Sequence, residues 1–177
     1  MKFIVGIGNP GRQYEGTRHN VGFAVIARLA AEVPPDTRLV RPDTFVNRTG
    51  EAVLELRTRH GAETKDVLLV CDDVNLDFGK LRLRPDGTAG GHHGLESVIE
   101  ALGTDAFPRL RVGVRTASMP GDLTGFVLEK FSAAEAKEIG RIVEKAEQIC
   151  RTWAREGFEA AQNRLSQLQS VKQENNE

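Results

Sequence analysis

The first apolar block of the chain predicts a strand that ends in a tight turn. The run from Phe3 to Ile7 breaks at Gly8-Asn9-Pro10-Gly11. Glycine permits backbone angles and close approaches that a Cβ forbids, and proline fixes φ, so this turn can hold Asn9 in one orientation. Rigid turns after strands are where α/β proteins place their functional groups. The sequence therefore predicts a functional corner at Asn9.

Several later stretches have the 3.6-residue spacing of apolar positions that predicts amphipathic helices. They are Val21 to Val33, a stretch through Val53, Leu54 and Leu56 that Gly61 ends, Leu95 to Leu102, and a longer helix opened by Ser132-Ala133-Ala134-Glu135 with Trp153 on its apolar side. Asn20 is a suitable N-cap for the first helix, and Ser132 with Glu135 forms a capping box. We expect a last short helix from Glu159 to Leu168 and a disordered polar tail over residues 169–177.

Other segments predict strands. The continuous apolar run Val67 to Cys71, which stops at Asp72-Asp73, is typical of a strand buried on both faces. Leu81 to Arg84 alternates as a half-exposed strand does, while Leu110 to Val114 and the short piece Arg38 to Val40 are also extended. The opening order of strand, glycine turn and helix predicts an α/β fold.

Composition limits the class of protein. A chain of 177 residues fits one domain with a normal core, and 40% hydrophobic with 28% charged residues is usual for soluble globular proteins. No apolar run approaches the roughly 20 residues that span a bilayer, and Phe3 to Ile7 is too short for a secretory signal. We expect a cytoplasmic protein without membrane association. Cys71 and Cys150 lie inside apolar patterns, so we expect core residues and neither a disulfide framework nor a zinc module.

The net charge of −1 argues against bulk attraction to nucleic acid, so any such binding needs a local basic patch. Positive charge clusters on two predicted strands. The residues are Lys80, Arg82 and Arg84 on the first, and Arg109, Arg111 and Arg115 on the second. From spacing alone, a solvated strand face explains these charges as well as a binding patch does.

Three polar groups follow predicted strands or strand-like segments: Asn9, Asn47 and Asp72. Because parallel strand ends meet at one edge of an α/β sheet, we expect them to share a cleft with His19. Histidine can act as a general base near neutral pH, and a carboxylate such as Asp72 would fix its tautomer. Carboxamides can stabilise negative charge on a carbonyl oxygen. Each residue also has a plain structural explanation, since His19 fits a first helical turn and Asp72 fits a turn cap.

Other chemistries have weaker signals. No Gly-x-Ser-x-Gly elbow occurs and Cys71 lies inside a strand, so water is the better attacking group. The segment Gly6 to Gly11 partly matches the dinucleotide-binding fingerprint. However, Pro10 and the delayed helix remove the strand-to-helix turn that would place a phosphate at the helix N-terminus. Adjacent His92 and His93 point apart and lack further ligands at metal-binding spacing, so we expect no metal.

Several motifs, in their order and spacing, resemble the bacterial peptidyl-tRNA hydrolase family. They are Val5-Gly6-Ile7-Gly8-Asn9-Pro10-Gly11, Tyr14, Thr17-Arg18-His19-Asn20-Val21-Gly22, Arg41-Pro42-x-Thr44-Phe45-Val46-Asn47-x-x-Gly50, Asp72-Asp73 and Ala89-Gly90-Gly91-His92-His93-Gly94-Leu95. The resemblance runs from about Phe3 to Phe131, with Gly157, Ala161 and Asn163 similar to the family's terminal segment. It implies one α/β domain over residues 1–168 with a mixed, mostly parallel twisted sheet flanked by helices.

The resemblance also implies an activity: a monomeric esterase, free of metal and cofactor, that hydrolyses peptidyl-tRNA. His19 would be the general base and Asp72 its orienting carboxylate, while Asn9 and Asn47 would hold the ester and peptide portions. Tyr14, His92 and His93 would bind substrate in the cleft. Arg84 and Arg111 match positions that clamp a tRNA phosphate.

The chain departs from the family's usual pattern at four places. His93 replaces an asparagine, Val46 a methionine and Asn75 an aspartate, and the interval from Pro34 to Arg41 is short, which predicts a loss of edge strands. The alternatives to an esterase are an RNA-binding homologue that has lost hydrolysis and, further off, a nucleotide-dependent enzyme.

Overall fold

A five-stranded sheet forms the centre of the computed structural model, which describes the backbone of residues 1–174 and side chains through residue 170. The strands are β1 (Lys2–Gly6), β2 (Thr37–Val40), β3 (Val67–Asp77), β4 (Leu81–Arg84) and β5 (Arg109–Arg115). Their order is β2-β1-β3-β5-β4, and every pair is parallel except β4 with β5. The predicted mixed, mostly parallel sheet is confirmed, and the short interval after Pro34 supplies β2 as one edge.

Six α-helices accompany the sheet in the described part of the chain. They are α1 (Val21–Leu29), α2 (Thr49–His60), α3 (His93–Leu102), α4 (Leu123–Leu128), α5 (Ala133–Glu156) and α6 (Phe158–Glu174). One apolar core joins α1, α5 and α6 to one face of the sheet, and a second joins α2 and α3 to the other. Cys71 and Cys150 are fully buried, one in each core, as predicted. Among the described helices, none combines the length and apolar character that a membrane crossing requires.

Helix α1 lies against the sheet at a point where only glycine fits. A Cβ on Gly22 would come within 2.3 Å of the Val70 carbonyl oxygen and 2.7 Å of the Ile7 nitrogen. This close approach brings the 3-10 turn Arg18–Asn20, which leads directly into α1, to the end of β1. Gly22 therefore helps to position His19 beside the Asn9 corner.

Two predicted helix boundaries need correction. Helix α1 ends at Leu29, four residues before the predicted end at Val33, because the chain turns ahead of Pro34, and a residue before proline disfavours helical geometry. Helix α6 continues to Glu174, beyond the predicted end at Leu168. The predicted disordered tail is therefore wrong at its start, and its last part, residues 175–177, lies outside the described residues.

The extension of α6 has a visible physical cause at the sheet edge. Strand β4 is an edge strand, so its outer carbonyl groups have no strand partner. The Gln162 side chain donates a hydrogen bond to the Leu83 carbonyl oxygen at 3.0 Å, and Gln169 donates to that of Leu81 at 2.9 Å. Helix α6 thus covers the edge and is stabilised through residue 169.

Strand β3 is longer than its apolar run predicts. It continues through Asp72 to Asp77 because β5 pairs beside it as far as Asp73, and again at Asp77 after a register shift. The expectation that this strand stops at Asp72 is therefore wrong. Asp72 lies inside a paired strand, which fixes the direction of its side chain.

Candidate active site

Asn9 lies in a rigid corner after β1, as its glycine and proline neighbours predict. The Asn9 backbone N–H donates to Asn20 Oδ1 at 2.8 Å, and Asn20 Nδ2 donates to the Asn9 carbonyl oxygen at 2.9 Å. A Cβ on Gly8 would approach Asn20 Oδ1 to 2.9 Å, and Gly11 has a φ of +107°. Asn20 occupies the N-cap position of α1, as predicted, but its side chain makes no capping hydrogen bond because the carboxamide holds Asn9.

The orientation of the Asn9 side chain follows from one hydrogen bond. Asn9 Oδ1 accepts from the Val46 backbone N–H at 2.9 Å, although Asn9 is only 7% exposed. Its Nδ2 group is therefore directed away from Val46 and has no hydrogen-bond partner among the described residues. Asn9 presents a fixed, unused N–H donor to the cleft that it lines.

His19 and Asp72 form the predicted pair. His19 Nδ1 lies 2.8 Å from Asp72 Oδ1 and 3.0 Å from Oδ2, and the Asp72 side chain is 1% exposed. Because Nδ1 is engaged with the carboxylate, the other ring nitrogen, Nε2, is left for the cleft that His19 lines. The pair has the arrangement of a general base and its orienting acid.

His92 lies on the opposite side of the same carboxylate. Its Nδ1 accepts from the backbone N–H groups of Gly94 at 3.0 Å and Leu95 at 3.4 Å, which caps the start of α3. The ring hydrogen is therefore on Nε2, which donates to Asp72 Oδ1 at 2.9 Å. His92 lines the cleft in which the sequence resemblance implies that it binds substrate, and its side chain also supports Asp72.

The electrostatics of this cluster favour a charged carboxylate beside a basic imidazole. Burial raises the pKa of Asp72, but the two imidazoles outweigh burial and hold that pKa well below its usual range. Burial lowers the pKa of His19, and the charge and hydrogen bond of Asp72 outweigh it, so the pKa lies above the ordinary 6.5. Asp72 therefore stays ionised and stabilises a proton received by His19.

The same three side chains satisfy the distance requirement of a metal site. Ligand atoms of His19, Asp72 and His92 all lie within 4.8 Å of one another. However, His92 Nε2 carries a hydrogen, and the nitrogens facing Asp72 are bonded to it at hydrogen-bond distances. A cation here would have to replace these bonds, so the arrangement favours a hydrogen-bonded catalytic group over a metal centre.

The cleft above these residues has a volume of about 560 Å³. Asn47, on the 3-10 turn Val46–Arg48, and His93 are exposed on its sides. Tyr14 does not line the cleft; it contacts Phe45, which does, edge to face at 6.0 Å between ring centres. A wall of apolar side chains completes the lining: Phe45, Val46, Val74, Leu123, Val127 and Leu128.

The arginines of β4 and β5 share one face of the sheet, where Arg82 is opposite Arg111 and Arg84 opposite Arg109. Arg111 is largely buried; its guanidinium donates to the Thr88 carbonyl oxygen at 2.5 Å and holds the glycine-rich loop that carries His92. Arg82 and Arg84 are exposed and have no hydrogen bond or ion pair in the described part of the chain. Free positive charge therefore lies on the edge strand.

Sequence reasoning missed three features of the site. These are the hydrogen bond from His92 to Asp72, the hydrogen bonds by which Asn20 holds the Asn9 backbone, and the apolar cleft lining supplied by α4. The position of His92 just before a helical pattern was an available signal for its capping role. Helix α4 is only six residues long and has no extended period to detect.

Comparisons with known proteins identify the family of this chain. The family model described as peptidyl-tRNA hydrolase matches residues 3–37 and 31–175. The peptidyl-tRNA hydrolase of Chlorobaculum parvum is 39% identical to the chain, over 94% of this chain and 98% of its own length. That of Chlorobium luteolum is also 39% identical, over 92% of this chain and 96% of its own length. The crystal structure of peptidyl-tRNA hydrolase from Acinetobacter baumannii superimposes with a TM-score of 0.83 at 27% identity, covering 93% of this chain and 94% of that one. The chain belongs to the peptidyl-tRNA hydrolase family.

Proposed function

We propose that this chain hydrolyses the ester between an N-blocked aminoacyl or peptidyl group and the terminal ribose of tRNA. It would act as a monomer in the cytoplasm, recycling tRNA from prematurely released peptidyl-tRNA. The observation that carries the proposal is the His19–Asp72 pair, in which Nδ1 is held at 2.8 Å and Nε2 is left for the cleft. A binding protein without catalysis has no need for this arrangement, which disfavours a homologue that has lost hydrolysis.

Water is the attacking group in the proposed mechanism. Burial raises the pKa of the Cys71 thiol to about 12, so this neighbour of Asp72 is not a nucleophile. His19 Nε2 takes a proton from a water molecule while the oxygen of that water attacks the carbonyl carbon of the ester. The imidazolium, stabilised by Asp72, then gives the proton to the departing ribose oxygen. The products are a free carboxylic acid and tRNA with a terminal hydroxyl group.

Asn9 would stabilise the charge that develops on the carbonyl oxygen. Its Oδ1 is fixed by the Val46 N–H, so its Nδ2 donor needs no reorganisation when the substrate arrives. One preorganised donor of this kind typically contributes about 3 kcal/mol to the transition state. Asn47, exposed on the side of the cleft, is placed to bond the peptide portion of the substrate.

The carboxylates of the cleft explain a preference for a blocked amino group. Asp72 is occupied by His19 and His92, and Asp73 accepts from the Asn75 N–H at 2.8 Å and faces Arg111 at 3.9 Å. A free ammonium group would lose hydration there without gaining an unengaged carboxylate. A peptide group avoids this cost because it is uncharged.

Arg84 would contact a tRNA phosphate, and Arg82 on the same strand extends the basic patch. Both are exposed, and phosphate contacts position nucleic acid without requiring a strongly basic protein. Arg111 would contribute mainly by holding the glycine-rich loop, since its guanidinium is engaged with the Thr88 carbonyl.

The decisive assay measures release of the amino acid from two forms of one tRNA, N-acetyl-phenylalanyl-tRNA and phenylalanyl-tRNA. We expect rapid hydrolysis of the blocked ester and much slower hydrolysis of the free one. Equal rates would contradict the proposed selectivity, and hydrolysis of neither ester would leave only a binding function.

A further inference from the structure

Arg18 precedes the catalytic histidine but is directed away from the cleft. Its side chain is 6% exposed, and its guanidinium carbon lies 3.9 Å from the centre of the Phe126 ring. Nη1 donates to the Phe126 carbonyl oxygen at 2.9 Å and to Glu129 Oε2 at 3.2 Å, and Nη2 donates to Glu135 Oε1 at 2.8 Å. One guanidinium therefore connects the His19 turn to two helices.

The first connection is to the start of α5. Glu135 Oε1 accepts from both Arg18 and the Ser132 backbone N–H, the latter at 2.8 Å, so the capping box of α5 includes Arg18. The backbone also connects the His19 turn to the residue that follows α4, because the Arg18 N–H donates to the Glu129 carbonyl oxygen at 3.0 Å. Arg18 is thus attached to a buried, rigid support.

The second connection is to α4, whose two sides have different surroundings. Phe126 is 4% exposed and lies under the Arg18 guanidinium. The other side faces the cleft with four residues at helical spacing: Leu123, Thr124, Val127 and Leu128. Leu123 and Leu128 are 39% and 41% exposed, although both are large and apolar. Exposed apolar side chains gathered on one wall of a cleft are typical of a binding surface.

We propose that Arg18 is a positioning residue that fixes the apolar side of α4 in the cleft that His19 lines and so sets a preference for bulky apolar acyl side chains. This inference rests on the proposed function, since it assumes an acyl group bound at His19. Phe45, 52% exposed on the cleft lining, supplies an aromatic surface in the same cleft. An acyl side chain held by these residues would gain apolar contacts that a glycyl group cannot make.

The test compares N-acetyl-phenylalanyl and N-acetyl-glycyl groups carried on the same tRNA body, so that RNA contacts cancel. Wild-type protein should prefer the phenylalanyl ester. Arg18→Lys retains the charge but cannot bond Phe126 and Glu135 with one planar group. We expect kcat/KM for the phenylalanyl ester to fall about tenfold, mainly through KM, and that for the glycyl ester to change less than twofold.

A second measurement reports on α4 without relying on catalysis. Amide hydrogen exchange at residues 123–129 should accelerate at least about tenfold in Arg18→Lys, while residues 142–153 of α5 remain protected. Glu135→Gln, which preserves the capping box, should produce a smaller change in the same direction. Arg28→Lys is the matched control, because Arg28 is another arginine whose ion pairs, with Glu144 and Glu147, are to α5.

Two outcomes would overturn the proposal. Equal losses for both acyl groups would show that Arg18 acts on stability or on His19 itself, and unchanged exchange at residues 123–129 would show that it does not anchor α4. If wild-type protein hydrolyses neither ester, the proposed function fails. Hydrogen exchange at residues 123–129 then still decides whether Arg18 fixes α4.

Discussion

Arg18 and His19 are consecutive residues, and each brings a nitrogen-bearing side chain to a buried carboxylate. Arg18 binds Glu135 at 2.8 Å, and His19 binds Asp72 at 2.8 Å. The Arg18 guanidinium also donates to Phe126 and Glu129, and guanidinium groups in general do not exchange a proton in catalysis. His19 has one nitrogen engaged and one left for the cleft, and its charge changes near neutral pH.

The difference shows what makes a buried ion pair chemically active. The pair of Arg18 and Glu135 is enclosed in the protein and serves structure, with Arg18 Nε and Glu135 Oε2 buried and without a hydrogen-bond partner among the described residues. A pair that leaves one titratable atom in a cleft can move a proton, provided that its partner stays ionised. Asp72 stays ionised because two imidazoles, those of His19 and His92, stabilise its carboxylate. Substitutions of His19 should therefore lower the rate of hydrolysis, whereas substitutions of Arg18 should lower stability and weaken the preference for apolar acyl groups that α4 provides.

Removing the imidazole should cause the largest effect on activity. We expect His19→Ala to lower the single-turnover rate on N-acetyl-aminoacyl-tRNA by about 10²–10⁴-fold, the usual contribution of a general base. Affinity for tRNA should remain nearly unchanged. The matched control is His60→Ala, which removes an exposed histidine of α2. Turnover by His19→Ala close to that of wild type would refute the assigned base.

Breaking the neighbouring pair should chiefly lower stability. Arg18→Met leaves Glu135 charged and buried, which should lower the free energy of unfolding in urea by about 3–5 kcal/mol. The double variant Arg18→Met/Glu135→Gln should recover part of this loss, because glutamine keeps the capping box without the charge. A loss below about 1 kcal/mol in the single variant would show that the pair contributes little.

The smallest predicted effect concerns the exposed edge of the sheet. Arg84→Ala should weaken tRNA binding and reduce the slope of log affinity against log salt by about one, because one phosphate contact is lost. Arg59→Ala is the control, since Arg59 is exposed on α2 and paired with Glu55. An unchanged slope in Arg84→Ala would mean that Arg84 does not contact phosphate.

Local pattern was enough to predict much of this molecule. The glycine and proline residues around Asn9 predicted its rigid corner, and the apolar runs predicted the central strands. The meeting of His19 with Asp72 followed from the convergence of polar groups at one edge of a parallel sheet, although β3 continues beyond Asp72. These features depend on residues close in sequence or on general rules of sheet topology.

Features that depend on distant pairing could not be predicted in this way. The length of β3 depends on β5, and the role of Asn20 depends on a backbone group eleven residues earlier. His92 bonds Asp72 from a loop that Arg111 holds at Thr88 and that ends at the start of α3. Helix α4 is bonded at Phe126 to Arg18, more than 100 residues away in sequence. Spacing along the chain carries no information about these contacts.

The most direct test of the central claim is the pH dependence of kcat/KM for N-acetyl-aminoacyl-tRNA in wild type and Asp72→Asn. The active form of His19 is neutral, and Asp72 raises its pKa above 6.5, so wild-type activity should increase with pH through a midpoint above 6.5. Without the carboxylate, burial alone acts on His19 and lowers its pKa. Asp72→Asn should therefore show a lower midpoint together with a rate loss of about 10³–10⁴-fold. A midpoint that stays in place or moves upward would contradict the account.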